Sequence, residues 1–198
     1  RMADARHPVT GLYTRPALMK ALAAQLAQHA SGGALLVEMG NAAALRKHYG
    51  YAAFESLIND AGRYLGSLTQ DHITARLSDN AFLVVVRNSD RGALDSYARS
   101  LRDGVGYHDF QTEGETIRLR CTIGYTTLEH GFTDAGAVLA ACEEAAREAQ
   151  GSPIGLATYV PPDTAVSSDI ADELRNALAS GSDALYLAFQ PVVAVAGR

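Results

Sequence analysis

After Pro16, Leu18, Leu22 and Leu26 recur every four residues, which is the spacing of one helix face, and proline is tolerated in a first helical turn. Gly32-Gly33 reads as a break before a short apolar run, Ala34 to Met39, of strand length. Asn41 is placed to cap the next helix, and Gly50 allows a break within it. Beyond Gly50, Phe54, Leu57, Ile58, Ala61, Leu65 and Leu68 keep helical spacing. Two strand-like runs follow, Ile73 to Leu77 and Phe82 to Val86, with a turn between them. Asp90 is placed to cap a helix whose apolar face holds Leu94, Tyr97 and Leu101. Ile117, Leu119, Cys121 and Ile123 alternate with Arg118, Arg120 and Thr122, the pattern of a strand with one buried face. Val138, Cys142, Ala145 and Ala149 form another helix stripe, Gly155 to Val160 reads as a last strand, and Pro161-Pro162 marks a boundary. A final helix is expected with Ser168 as its cap, Asp169, Asp172 and Glu173 near its N-terminus, and Ile170, Leu174, Ala177 and Leu178 along one stripe. This alternation of strands and helices gives an α/β class and leaves the strand order open.

Composition sets bounds. A chain of 198 residues is long enough for one domain with a sizeable core plus an appendage. The net charge of −5 argues against a nucleic-acid partner, because phosphate contacts need a basic face. No apolar run approaches membrane-spanning length, and the first residues show no signal-peptide pattern. Cys121 falls in an expected strand and Cys142 in an expected helix, where both pack as small apolar groups; a cytoplasmic location follows. His7, His29, His48, His72, His108 and His130 are scattered without metal-ligand spacing, so neither a metal site nor a cofactor is expected from them.

Several segments, in order, carry a resemblance. His7-Pro8-Val9-Thr10-Gly11-Leu12-Tyr13-Thr14-Arg15 is followed by the strand Leu35 to Met39 and by Gly40, Ala42, Ala43, Leu45, Arg46, Lys47, Tyr49, Gly50 and Glu55 at matching places. Arg76-Leu77-Ser78-Asp79-Asn80-Ala81-Phe82 then lies between the two strand-like runs, and Cys121 to Tyr125 and Cys142 to Gln150 complete the set. This series resembles the GGDEF family, the diguanylate cyclases of bacterial signalling. The resemblance implies a βαββαβ palm: a ferredoxin-like, nucleotidyl-cyclase-like central sheet flanked by helices, here with a C-terminal linker helix and a stray strand.

The resemblance also shows what has changed. Where the family reads Arg-x-Gly-Gly-Asp-Glu-Phe, this chain keeps Arg76 and Phe82 but has Ser78, Asp79, Asn80 and Ala81 between them. The family reaction joins two GTP molecules through metal-assisted attack of a 3′-hydroxyl on an α-phosphate, which depends on positioning and charge neutralisation. The Asp ending the family's first strand and the Glu of its hairpin supply hard oxygen ligands for Mg²⁺. Glu38 could serve at the first place; the Ala81 methyl offers no lone pair at the second. Two supporting lysines of the family correspond to Ala43 and Gln150. In base recognition Arg46 stands for an Asn, and Glu55 keeps a carboxylate in place of an Asp; a surface pair between Arg46 and Glu55 is expected. An Arg presents donors only, so it cannot match the donor and acceptor of an Asn. The family's Arg-x-x-Asp feedback site corresponds to Thr69 and His72, which cannot replace a bidentate Arg clamp. No catalytic residue and no bound metal are therefore expected, and Glu38, Arg46 and Glu55 remain as a vestigial nucleotide site.

Leu174-Arg175, Ala177-Leu178 and Leu187-Ala188-Phe189-Gln190-Pro191-Val192-Val193 resemble the opening of an EAL domain, the cyclic di-GMP phosphodiesterase barrel. The expected domains are 1–162, a degenerate GGDEF domain, and 163–198, a linker helix and the start of an EAL domain. The linker helix either packs on its own domain or couples it rigidly to the barrel. Leu185 to Val195 reads as an apolar strand without its barrel partners, expected to be either disordered or recruited by a neighbouring chain through its free edge. The expected function is a non-catalytic regulatory or interaction domain of a tandem GGDEF–EAL protein, with the EAL domain and other signalling proteins as partners. Degenerate tandems include the FimX-like regulators of type IV pilus assembly, although no residue here is specific to pili. The rival reading is a GTP sensor that tunes the EAL phosphodiesterase. Oligomeric state stays open.

Overall fold

The computed structural model describes residues 5–179, and between 163 and 169 only the backbone. In chain order the elements are α1 (Arg15–Ala27), β1 (Gly32–Met39), α2 (Ala42–Tyr49), α3 (Tyr51–Leu68), β2 (Ile73–Arg76), β3 (Ala81–Arg87), α4 (Arg91–Gly106), β4 (Phe110–Thr112), β5 (Glu115–Ile117), β6 (Cys121–Thr127), α5 (Ala135–Gly151), β7 (Leu156–Thr158) and α6 (Pro162–Ala179). The chain divides into two compact units between Tyr159 and Val160.

In the first unit the sheet order is β2-β3-β1-β6-β7, antiparallel throughout except for the parallel β6–β7 pair. Strand β1 is central, with Val37 opposite Phe82 on one side and Ile123 on the other. Helices α3 and α4 cover one face, where Phe54, Leu57, Leu94 and Leu101 bury against Leu35, Val37 and Phe82. Helices α1 and α5 cover the other, where Leu18, Leu22, Val138 and Cys142 meet Leu36, Leu83 and Val85. This is the expected βαββαβ palm of mixed sheet and flanking helices.

Both faces being covered explains the continuous apolar reading of β1 and β3, since alternation is lost when neither face meets water. It also corrects the expectation for 117–123. That stretch is not one half-buried strand: β5 ends at Ile117, residues 118–120 are irregular, and β6 is buried at every position. Strand β5 instead pairs with β4 in a separate two-stranded hairpin, closed at Glu113 and Gly114, both with positive φ.

Three local expectations are also corrected. Gly32 and Gly33 lie inside β1 rather than before it; a Cβ at Gly33 would come within 2.5 Å of Leu94 Cδ2 and 2.7 Å of the Thr126 carbonyl oxygen, so α4 packs on bare backbone there. Asn41 does not cap α2 with its side chain; it adopts a left-handed conformation (φ 62°) and contributes its carbonyl to Leu45 N–H. Ser168 lies within α6, which starts at Pro162, a residue pre-set for a helix start. Asp90 does cap α4, accepting from Ala93 N–H at 2.8 Å. Within α6, Ile170, Leu174 and Leu178 are exposed. Leu185 to Val195 lies outside the described residues. Among the described residues no helix is long and apolar enough to cross a membrane.

Candidate functional site

Four residues, 77–80, turn the chain from β2 into β3, and this hairpin is tied down from three elements. Arg76 reaches back along α3: its guanidinium pairs with both carboxylate oxygens of Glu55, the longer contact at 3.1 Å, and donates to Asn59 Oδ1 at 3.3 Å. The same guanidinium donates to the carbonyls of Ser78 (2.9 Å) and Asp79 (2.8 Å), so one side chain fixes the turn to the helix. Asn80 ties the turn to the end of β1: its Nδ2 donates to the Met39 carbonyl, and Met39 N–H donates to the Asn80 carbonyl, both at 2.8 Å. Across the open side, Arg46 of α2 pairs with the Asp79 carboxylate at 3.0 Å while its guanidinium lies 4.8 Å from the centre of the Phe54 ring.

On the opposite face of β1, Glu38 sits in register with Ala81 and Thr122. Burial pushes its carboxyl above the usual range; a hydrogen bond from Gln150 pulls it down, and nearby Glu143 pushes it up again. Gln150 Nε2 lies 3.4 Å from each Glu38 oxygen. A cavity of about 300 Å³ opens here between α1, β1, the hairpin and α5.

The sequence-derived residues therefore separate into two groups. Arg46, Glu55, Asp79 and Arg76 share the α2–α3 side of the hairpin. Glu38 and Ser78 line the cavity on the α1–α5 side, with Ala81 between them and nearly buried. Phe82 is a core residue, fully buried and packed against α3 at Gly62. The expected Arg46–Glu55 pair is absent: Arg46 bonds Asp79, and Glu55 bonds Arg76, because the hairpin lies between the two helical positions and presents a closer partner to each. Among the described residues no cluster of three or more acidic, His or Cys side chains is placed to share a metal ion. The donor set at the place where the family holds Mg²⁺ does not fit the ion. Glu38 is half-buried and bonded by an amide, Ala81 brings a methyl, and the Met39 carbonyl accepts from Asn80.

Thr69 is buried and donates to the Leu65 carbonyl, and His72 accepts weakly from Arg87 N–H beside the Tyr97 ring. Both are engaged in holding the α3–β2 turn. Glu143, Glu144, Arg147 and Glu148 of α5 are exposed, and among the described residues none of them forms an ion pair within 4 Å. The sequence reading missed Asn59 and the reach of Arg76. The spacing of Glu55 and Asn59, four residues apart on one helix, places both on one face and could have flagged Asn59.

Comparison with known proteins agrees with this architecture. The sequence pattern of the family described as diguanylate cyclase, GGDEF domain, matches residues 5–153. A curated relative, described as an uncharacterized 19.3 kDa protein in the repSA 5′ region of Streptomyces ambofaciens, is 28% identical over 157 residues, spanning 76% of this chain and 81% of the relative. Among solved structures, the FimX GGDEF domain from Pseudomonas aeruginosa superposes with a TM-score of 0.67 at 19% identity, covering 78% of this chain and 97% of that one. The GGDEF domain of TpbB, also called YfiN, from the same organism gives a TM-score of 0.72 at 14% identity, covering 82% of this chain and 99% of that one. With the palm fold, the hairpin in its place between β2 and β3, and a family match over most of its length, this chain belongs to the GGDEF family, the domains of cyclic di-GMP signalling.

Proposed function

We propose that this domain is a non-catalytic member of its family that acts as a regulatory or interaction module, coupled to a C-terminal EAL domain. The observation that supports the reading most is the Arg46–Asp79 pair, which joins α2 to the hairpin across the side where the family recognises its base. Glu55, the carboxylate kept for base recognition, is bonded by Arg76, and Asp79 adds negative charge where the family has a glycine facing phosphate. The buried free thiols Cys121 and Cys142 accord with a reducing, cytoplasmic setting. The coupling to an EAL domain rests on the sequence of residues 174–193. Other signalling proteins are the expected partners.

Calorimetric titration with GTP, with and without Mg²⁺, and with cyclic di-GMP tests the reading, together with product analysis after incubation with GTP. No turnover and no GTP binding are expected. Formation of cyclic di-GMP would overturn the proposal, and GTP binding in the micromolar range without turnover would replace it with the sensor reading. Ala81→Glu alone is not expected to restore turnover, because Ser78, Asp79, Ala43 and Gln150 remain.

A further inference from the structure

We propose that the cavity on the α1–α5 side of the hairpin is a binding site for a small zwitterion of the amino-acid class. Its volume, about 300 Å³, is at the lower end of the range for small-molecule sites. Leu36, Leu77 and Leu139 contribute an apolar part to a lining that is otherwise largely polar. Four charged side chains line it as well: Arg15 from α1, Glu38 from β1, and Glu143 and Arg147 from α5.

The state of those four charges selects the ligand. None of them belongs to an ion pair among the described residues. Arg15 makes one long bond, to the Leu77 carbonyl at 3.4 Å, and Glu38 has only the amide of Gln150. Two guanidiniums and two carboxylates in one cavity sum to no net charge. A simple anion entering here would meet two carboxylates, and a simple cation would meet two guanidiniums. A molecule that carries both signs can satisfy both pairs. Its carboxylate would accept from Arg15 or Arg147, whose planar fork matches a carboxylate, and its ammonium would donate to Glu38 or Glu143. The three leucines offer an aliphatic side chain apolar surface to contact. The inference rests on the reading above in one respect, that GTP leaves this cavity free.

The test is calorimetric titration of the whole chain with each of the common L-amino acids, with inorganic phosphate and methylamine as single-charge probes. At least one amino acid is expected to bind with a Kd below about 1 mM, and more tightly than either single-charge probe. Arg147→Ala, at an exposed position, and Glu38→Gln are each expected to weaken that binding by about tenfold or more, and Arg118→Ala, remote from the cavity, to leave it unchanged. No heat from any amino acid at about 10 mM would overturn the proposal. So would phosphate binding that Glu38→Gln leaves intact, which is the behaviour of an anion site. GTP titration judges the regulatory reading, and the Arg147→Ala and Glu38→Gln isotherms judge this one, so the two fail separately.

Discussion

Two ion pairs hold the same hairpin, and their surroundings predict very different energetic roles. The Arg76 and Glu55 side chains are 24% and 30% exposed; those of Arg46 and Asp79 are 36% and 73% exposed. Arg76–Glu55 is bidentate and partly desolvated, so its charge-assisted bonds are expected to couple the residues by about 1.5–2.5 kcal/mol. Arg46–Asp79 is a single contact facing water, where typical couplings are about 0.2–1 kcal/mol and fall with salt. Arg76→Ala also frees the Ser78 and Asp79 carbonyls and Asn59, which raises its total cost to about 3 kcal/mol. The assay is urea unfolding of Arg76→Ala, Glu55→Ala and their double variant, and of Arg46→Ala, Asp79→Ala and theirs, at low and high salt. Each cycle isolates one coupling. An Arg46–Asp79 coupling equal to or larger than that of Arg76–Glu55 would refute the reasoning, because exposure would then not set the strength.

Further outcomes follow from the packing and the titratable groups. Gly124→Ala places a Cβ 2.1 Å from Ala146 N, against α5 backbone that cannot rotate away, and is expected to cost about 3 kcal/mol in urea unfolding; Gly106→Ala, with nothing within 4 Å, is expected to stabilise by up to about 0.5 kcal/mol. His72 is held below its usual pKa, by burial first and by Arg87, with Asp71 opposing. The unfolded chain therefore binds that proton more readily, so stability is expected to fall as pH drops through about 6.5, and His72→Gln to flatten that part of the profile measured by thermal melts. Burial pushes the Cys121 thiol up to about 12 and the Cys142 thiol higher still, so neither is expected to react with a disulfide reagent at pH 8 until the chain is unfolded, when both should.

Periodicity was a good guide wherever one face of an element alone met the core. The Phe54–Leu57–Ile58–Ala61–Leu65 stripe and the Asp90 cap could be read because helix spacing and capping are local properties. The stretch around Arg118 to Arg120 misled, because alternation there arises from two segments with different partners, β5 in a separate hairpin and β6 in mid-sheet. Gly32-Gly33 misled for a related reason: a strand that must admit Leu94 and a neighbouring carbonyl looks like a breaker when its partners are unseen. At the site, residue types disclosed what chemistry was missing, but not who bonds whom. The exchange of partners among Arg46, Glu55, Arg76 and Asp79 depends on where the hairpin lies between α2 and α3, a tertiary distance that spacing along the chain does not encode.

The central place of β1 has a consequence for synthesis. Its two neighbours are β3 and β6, and the β6 partners of Gly33 and Met39 are Thr127 and Cys121, far along the chain. A nascent chain that has released β1 to β3 carries an apolar strand with one open edge until β6 emerges, and such an edge is where strands from other chains add. The α5 helix, which buries Val138 and Cys142 against the same sheet, arrives later still. Fragments that end before Thr127 are thus expected to aggregate, and a stop near Tyr159, where the first unit ends, is the earliest that delivers every strand of the sheet. The order of the strands along the gene makes this domain a late-closing one, with its folding coupled to the completion of nearly its whole length.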